Sequence, residues 1–117
     1  MKMTIEKEKH GGMHVLTIWG KIGDAESNKL SKLLQKLSTT EKKAAIVDVS
    51  EVSFIGSYAL GLLVHYSKQM ALEGKQLYIC NRNNDPDATV QRLFNLTNVG
   101  RKALTIVSSY EEIPPLS

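Results

Sequence analysis

A chain of 117 residues, 42% hydrophobic and 23% charged, has the size and make-up of one folded domain, with no room for two independent cores. Its single cysteine, Cys80, excludes an intrachain disulfide framework, and with only three histidines beside it a structural zinc site is not expected. A net charge of +3 and 6% aromatic residues give neither the positive footprint of a committed nucleic-acid binder nor the stacking platforms of a single-strand binder.

The stretch Thr4 to His10 reads as a short strand, polar enough for a sheet edge. Gly11-Gly12 supplies the positive backbone angles of a tight hairpin, and Met13 to Gly20 reads as a second, more buried strand that must run antiparallel to the first. After Gly20-Lys21-Ile22-Gly23-Asp24 the period becomes helical. Leu30, Leu33, Leu34 and Leu37 form one apolar stripe, Lys29, Lys32 and Lys36 form the solvated face, and Asp24 is the expected N-cap.

Ala44 to Val49 is a nearly continuous apolar run, the mark of a central strand buried on both faces, and Ser50 to Ile55 is expected to leave it as an irregular loop. A second helix runs from about Ser57 to Glu73, stopped by Gly74. Its expected core stripe is Leu60, Leu63, Val64, Ser67, Met70 and Ala71. Gln76 to Asn81 is the fourth strand. A third helix is expected with Asp85 as cap and Pro86 at its first position, continuing through Val90, Leu93, Phe94 and Thr97 and ending at Asn98-Val99-Gly100. Ala103 to Val107 is the fifth strand, and a last turn from Tyr110 is cut short by Pro114-Pro115. Helical crossovers between the second and fifth strands require parallel pairing, so the expected fold is α/β: one domain with a mixed sheet, antiparallel only at its N-terminal strand.

The opening residues Met1 to Glu8 hold no apolar signal-peptide core, and no apolar run approaches the roughly 20 residues that span a bilayer. The expected location is therefore the cytoplasm, with no membrane and no direct nucleic-acid contact.

Functional crevices in open α/β sheets lie at the carboxyl ends of the strands. The segment Val47 to Gly61 leaves such an end and turns into a helix at Gly56-Ser57. Ser57 has two compatible readings. As an N-cap, its hydroxyl would satisfy an orphan amide. As a phosphoacceptor, it would hold a phosphate against free amides and the positive end of the helix. Opposite the expected core stripe, Tyr58, Leu62 and His65 form either a partner-facing patch or a face covered by neighbouring loops. Catalytic motifs do not appear. There is no phosphate-cradling glycine loop, no dinucleotide fingerprint and no nucleophile elbow, and His10, His14 and His65 share no metal spacing. Cys80 reads as a small buried apolar residue. Asp48 lacks the acidic neighbours of a receiver-type phospho-aspartate.

The segment Ile46-Val47-Asp48-Val49-Ser50-Glu51-Val52-Ser53-Phe54-Ile55-Gly56-Ser57-Tyr58-Ala59-Leu60-Gly61 resembles the strand and Asp-Ser-Ser/Thr-Gly-Leu-Gly signature of the STAS domains, the family of bacterial anti-sigma factor antagonists. Gly20-Lys21-Ile22, Gly74-Lys75-Gln76-Leu77 and Val90 to Val99 resemble further family motifs in the same order and spacing. The resemblance covers residues 4–113 as a single STAS domain, with 114–117 as a short tail, and implies helices mainly on one face of the sheet. It implies a non-enzymatic protein without cofactor or metal. Such a protein binds an anti-sigma factor with serine kinase activity and is released when the signature serine is phosphorylated. A serine phosphatase reverses the step. By this resemblance the phosphoacceptor is Ser57, and the partner interface maps onto Ile22, Gly23, Asp24, Gly56, Tyr58, Leu62 and His65. The chain departs from the family pattern where acidic residues usually stand: Gly56 precedes the serine, and Gly23 follows the second strand with Asp24 one place on. Tyr58 replaces the second Ser/Thr, and Ala59 the glycine beside it. These departures keep two other readings in view, a STAS scaffold that works without phosphorylation and a small-molecule carrier or enzyme.

Overall fold

The computed structural model describes residues 2–83, 85, 88–98 and 103–115, the side chain of Glu8 excepted. Strand β1 (Lys2–His10) pairs antiparallel with β2 (Met13–Ile22) through a turn in which Gly11 and Gly12 take φ of 55° and 85°. Both angles lie in the left-handed region that glycine enters without penalty, and this two-residue geometry matches the twist of the strands it joins. Helix α1 (Ser27–Ser38), β3 (Ala44–Ile55), α2 (Ser57–Leu72), β4 (Gln76–Cys80), α3 (Thr89–Thr97) and β5 (Thr105–Val107) follow.

The five strands lie in chain order, β1-β2-β3-β4-β5, and all pairs after the first are parallel. Each crossover therefore steps in the same direction. A right-handed crossover repeated that way delivers every helix to the same face of the sheet. The core follows that rule. Leu30 and Leu34 of α1, Ala59 and Leu63 of α2, and Val90 and Phe94 of α3 pack on Leu16, Ile18, Val47 and Ile79. Strand side chains alternate, so β3 sends Ala45, Val47 and Val49 into this layer and Ala44, Ile46 and Asp48 to the other face. That helix-free face is covered differently, as described below.

Four local expectations change. Residues 50–55 are not a loop but the second half of β3, which continues alongside β2 to the pair Ile22–Ile55 with two register shifts. Pairing with β4 stops at Asp48–Cys80. Beyond that point β3 pairs on one side only among the described residues, and Glu51, Ser53 and Phe54 face solvent. Asp24 does not cap α1. A 3-10 turn at Asp24–Glu26 precedes the helix, and the Gly23 N–H donates to Glu26 Oε2 at 2.9 Å, the reach-back of a capping box. Helix α3 starts at Thr89 with Ala88 as its cap residue, while the carbonyl of Asp85 accepts the Ala88 N–H at 3.0 Å in a turn ahead of it. Pro86, Val99 and Gly100 lie outside the described residues. Finally, the buried stripe of α2 is Ala59, Leu63 and Met70, flanked by half-buried Leu60, Leu62, Val64 and Tyr66, and Ala71 is exposed. This helix is apolar on too many sides for periodicity alone to pick the inward face.

Candidate functional site

The carboxyl ends of β2 and β3 meet at the start of α2. The Gly56 N–H donates to the Ile22 carbonyl at 2.8 Å, which ties the turn after β2 to the turn before α2. Ile22 itself is fully buried, so this position contributes its carbonyl to the site and its side chain to the core. Gly56 is the cap residue of α2, with φ −75° and ψ 162°. Any residue adopts those angles, so the backbone does not require glycine here. A Cβ at position 56 would lie 3.5 Å from Asp24 Oδ1 and 3.5 Å from the Ile22 carbonyl, ordinary contacts. The Asp24 carboxylate therefore borders the space that a side chain at position 56 would enter. A Cβ at Gly23 would be tighter, 3.2 Å from the Glu26 carboxylate.

Ser57 is the first helical residue of α2 and is exposed; the cap position falls to Gly56. The first intrahelical bond runs from the Leu60 N–H to the Gly56 carbonyl at 3.0 Å, so the amides of Ser57, Tyr58 and Ala59 precede it. Among the described residues the Ser57 hydroxyl has no hydrogen-bond partner. An exposed hydroxyl without a partner among the described residues, on the positive end of a 16-residue helix, stands where negative charge is favoured.

The two flanks of α2 differ. Tyr58, 62% exposed, and His65 lie on one flank, where the His65 ring meets Tyr66 edge-on at 5.0 Å. Leu62 borders this flank but is half-buried against the core. Ser57 lies on the other flank, at the mouth of a groove of about 380 Å³ lined by Leu60, Gly61, Val64, Lys68, Thr97 and Ala103. This groove is hidden in the α2 pattern, because Leu60 and Val64 also fall on the stripe expected to face the core. The available signal was their spacing: Ser57, Leu60, Val64 and Lys68 fall at i, i+3, i+7 and i+11 along one helix edge.

A second polar cluster, unforeseen in the sequence, sits on the helix-free face. Asp48, 2% exposed, accepts a 2.5 Å hydrogen bond from the Tyr110 hydroxyl and one of 2.9 Å from the Ser50 N–H. The Arg82 guanidinium stands 3.4 Å from the same Asp48 oxygen that Tyr110 uses, and Arg82 donates from both its N–H and its Nε to Ser50 Oγ. Burial, and then the hydrogen bond to the Asp48 carboxylate, push the Tyr110 hydroxyl well above its ordinary range. Burial first, and the Asp48 charge second, push the Cys80 thiol up to about 11. Cys80 is fully buried, which makes it a packing residue as expected.

Among the described residues no group of three or more His, Cys, Asp or Glu side chains is placed to hold a metal ion. No described helix is long and apolar enough to cross a membrane.

A five-stranded mixed sheet with three helices on one face, entered by a β-hairpin, with a serine at the neck of α2, defines the architecture of a small α/β domain. The chain belongs to the STAS domain family, whose match spans residues 4–113. Its fold is similar to that of an anti-sigma factor antagonist from Mycobacterium paratuberculosis, with 22% identity and a TM-score of 0.76 over 95% of this chain and 90% of that one. It is also similar to SpoIIAA, an anti-sigma factor antagonist, in its unphosphorylated form, with 14% identity and a TM-score of 0.67 over 95% and 92% of the two chains. The phosphorylated form of SpoIIAA, a Bacillus cell fate determinant, gives 14% identity and a TM-score of 0.68 over 96% of each chain.

Proposed function

We propose that this domain is an anti-sigma factor antagonist of the cytoplasm that captures an anti-sigma factor with serine kinase activity and is released when Ser57 is phosphorylated. It acts by binding and does not catalyse a reaction. The observation that carries this reading is the state of Ser57: exposed, without a hydrogen-bond partner among the described residues, and one residue inside the N-terminus of α2. Tyr58 and His65 on one flank of α2, and the Gly23–Asp24 turn beside Gly56, supply the contact surface around it.

The switch follows from charge. A phosphoserine brings about −1.5 to −2 charges, which the free amides and dipole of α2 accept without unfolding anything. That charge must lose its water when a partner covers it, and it lies near the Asp24 carboxylate, so the modified surface resists burial. A serine phosphatase would restore the binding form.

The test is capture from native lysate followed by intact-mass analysis with and without ATP. The unaltered domain gains a phosphate-sized mass with its partner present, Ser57→Ala does not, and Ser57→Asp loses the partner. Equal phosphate gain on Ser57→Ala would overturn the site. A second reading, a scaffold that binds without being phosphorylated, draws on Gly56, where the family's acidic residue is missing. It expects no mass gain, with capture lost on Tyr58→Ala.

A further inference from the structure

The helix-free face is covered by residues 108–113, and the way this segment is attached is unusual for part of a core. Among the described residues its backbone hydrogen bonds are made from within. The Glu112 carboxylate accepts the N–H groups of Ser108 and Ser109, the Glu112 N–H donates to the Ser109 carbonyl at 3.3 Å, and the Ile113 N–H donates to the Tyr110 carbonyl at 3.0 Å. Among the described residues no backbone hydrogen bond joins 108–113 to the sheet. The last such link is one residue earlier, from the Asn81 N–H to the Val107 carbonyl at 2.9 Å. The segment is held by side chains: Ile113, 3% exposed, packs with Met13, Val15, Ile46 and Cys80, and the Tyr110 hydroxyl reaches Asp48. The Tyr110 ring is also flanked by His10, with centroids 5.1 Å apart, and by the Arg82 guanidinium at 5.8 Å. Past Ile113 the cover is not flush. A cleft of about 410 Å³ separates Pro114 and Pro115 from Lys43, Gln76 and Tyr78.

We infer that residues 108–113 form a strap that opens and closes over the helix-free face as one unit, hinged after Val107 and latched by Tyr110 and Ile113. Opening breaks no backbone hydrogen bond of the sheet and none inside the strap. It costs the Tyr110 hydrogen bond to a buried carboxylate, the contacts of the Tyr110 ring with His10 and Arg82, and the burial of Ile113, far less than global unfolding. The face it uncovers carries Cys80, so the thiol reports the strap's position. The strap lies on the side of the sheet opposite α2, so this device is independent of the Ser57 switch.

The test is the rate at which Cys80 of the whole domain reacts with 5,5′-dithiobis(2-nitrobenzoate). The thiolate attacks the probe's disulfide, forming a mixed disulfide and releasing thionitrobenzoate. Rates are measured against urea concentration, relative to each variant's fully unfolded rate. An opening strap exposes little surface, so the rate in dilute urea rises with a slope much shallower than that of global unfolding. Tyr110→Phe and Ile113→Ala each accelerate labelling about tenfold or more without steepening that slope, as loss of a bond to a charged group or of a buried side chain requires. A slope equal to the global one throughout, in the unaltered domain and both variants, overturns the strap. A shallow slope with rates that neither substitution moves also overturns it.

Discussion

The Ser57 neck and the Asp48 cluster both gather polar groups where β3 leaves the centre of the sheet, and they end in opposite states. At the neck, the Ser57 hydroxyl is exposed and has no hydrogen-bond partner among the described residues, Asp24 and Tyr58 face solvent, and the defining contacts are backbone ones, such as the 2.8 Å bond between Gly56 and Ile22. In the cluster, Asp48 is buried and collects Tyr110, Ser50 and Arg82, side chains or amides from three parts of the chain. The difference separates two uses of polar residues. Polar groups left open on a rigid backbone frame are available to a partner or a modifying enzyme. Polar groups that satisfy one another under cover fix a tertiary arrangement, and the domain depends on them for stability.

The largest effect that tests this division is expected from Asp48→Ala. The substitution leaves the Tyr110 hydroxyl and the Ser50 N–H without their acceptor and removes the counter-charge of Arg82. Because the Arg82 side chain is 53% exposed, its share is small, and most of the loss comes from Tyr110 and Ser50. A destabilisation of about 2–4 kcal/mol is expected in urea unfolding. Ser57→Ala, on the same strand-to-helix path, should stay within about 0.5 kcal/mol of the unaltered domain. Similar losses at the two positions would erase the distinction between the regions.

The element order and the strand directions were legible because local signals agreed: the Gly11-Gly12 turn, the apolar run Ala44–Val49, the leucine stripe of α1 and the glycine stop at Gly74. The neck was legible for the same reason, since a strand end, a glycine and a serine lie next to each other in the chain. The Asp48 cluster was not, because Asp48 and Tyr110 are 62 residues apart and nothing local to either calls for the other. The inward face of α2 and the course of residues 50–55 were also hidden. Both are decided by neighbours in space: the sheet beneath Ala59, Leu63 and Met70, and the end of β4 at Cys80 that frees one side of β3.

A middle-sized effect comes from pH. The Cys80 thiol is held neutral in the folded domain up to about 11, against an ordinary value of 9.0, so the unfolded chain gives up this proton first. Above the ordinary value the folded state binds more protons than the unfolded one, and stability falls as pH rises until the folded thiol ionises too. Tyr110 acts in the same direction from its ordinary value of 10.0 upward. The slope from one such proton is at most about 1.4 kcal/mol per pH unit. Unfolding free energy measured against pH should therefore decline through this alkaline window, and Cys80→Ala should flatten the decline where Ser57→Ala leaves it unchanged. An identical slope in Cys80→Ala would place the alkaline loss elsewhere.

The smallest effect probes the neck itself. The backbone at Gly56 accepts any residue, and a Cβ there meets nothing closer than 3.5 Å, so Gly56→Asp should fold normally. Its carboxylate would occupy the cap position of α2 and accept an amide of the first turn, worth only about a few tenths of a kcal/mol over glycine, itself a favourable cap residue. It would also stand beside Asp24, and two like charges on an exposed surface offset part of that gain. The net change in stability should therefore be within about 0.5 kcal/mol. The informative quantity is the coupling. Asp24→Asn should be more stabilising in the Gly56→Asp background than alone, by about 0.3–1 kcal/mol in a double-mutant cycle, and the difference should shrink as salt is added. No coupling at low salt would mean that the Asp24 carboxylate does not stand beside position 56 in solution. A clear coupling would identify Asp24 as the carboxylate that the neck presents beside Ser57, supplied from the turn after β2 and not from the residue before the serine.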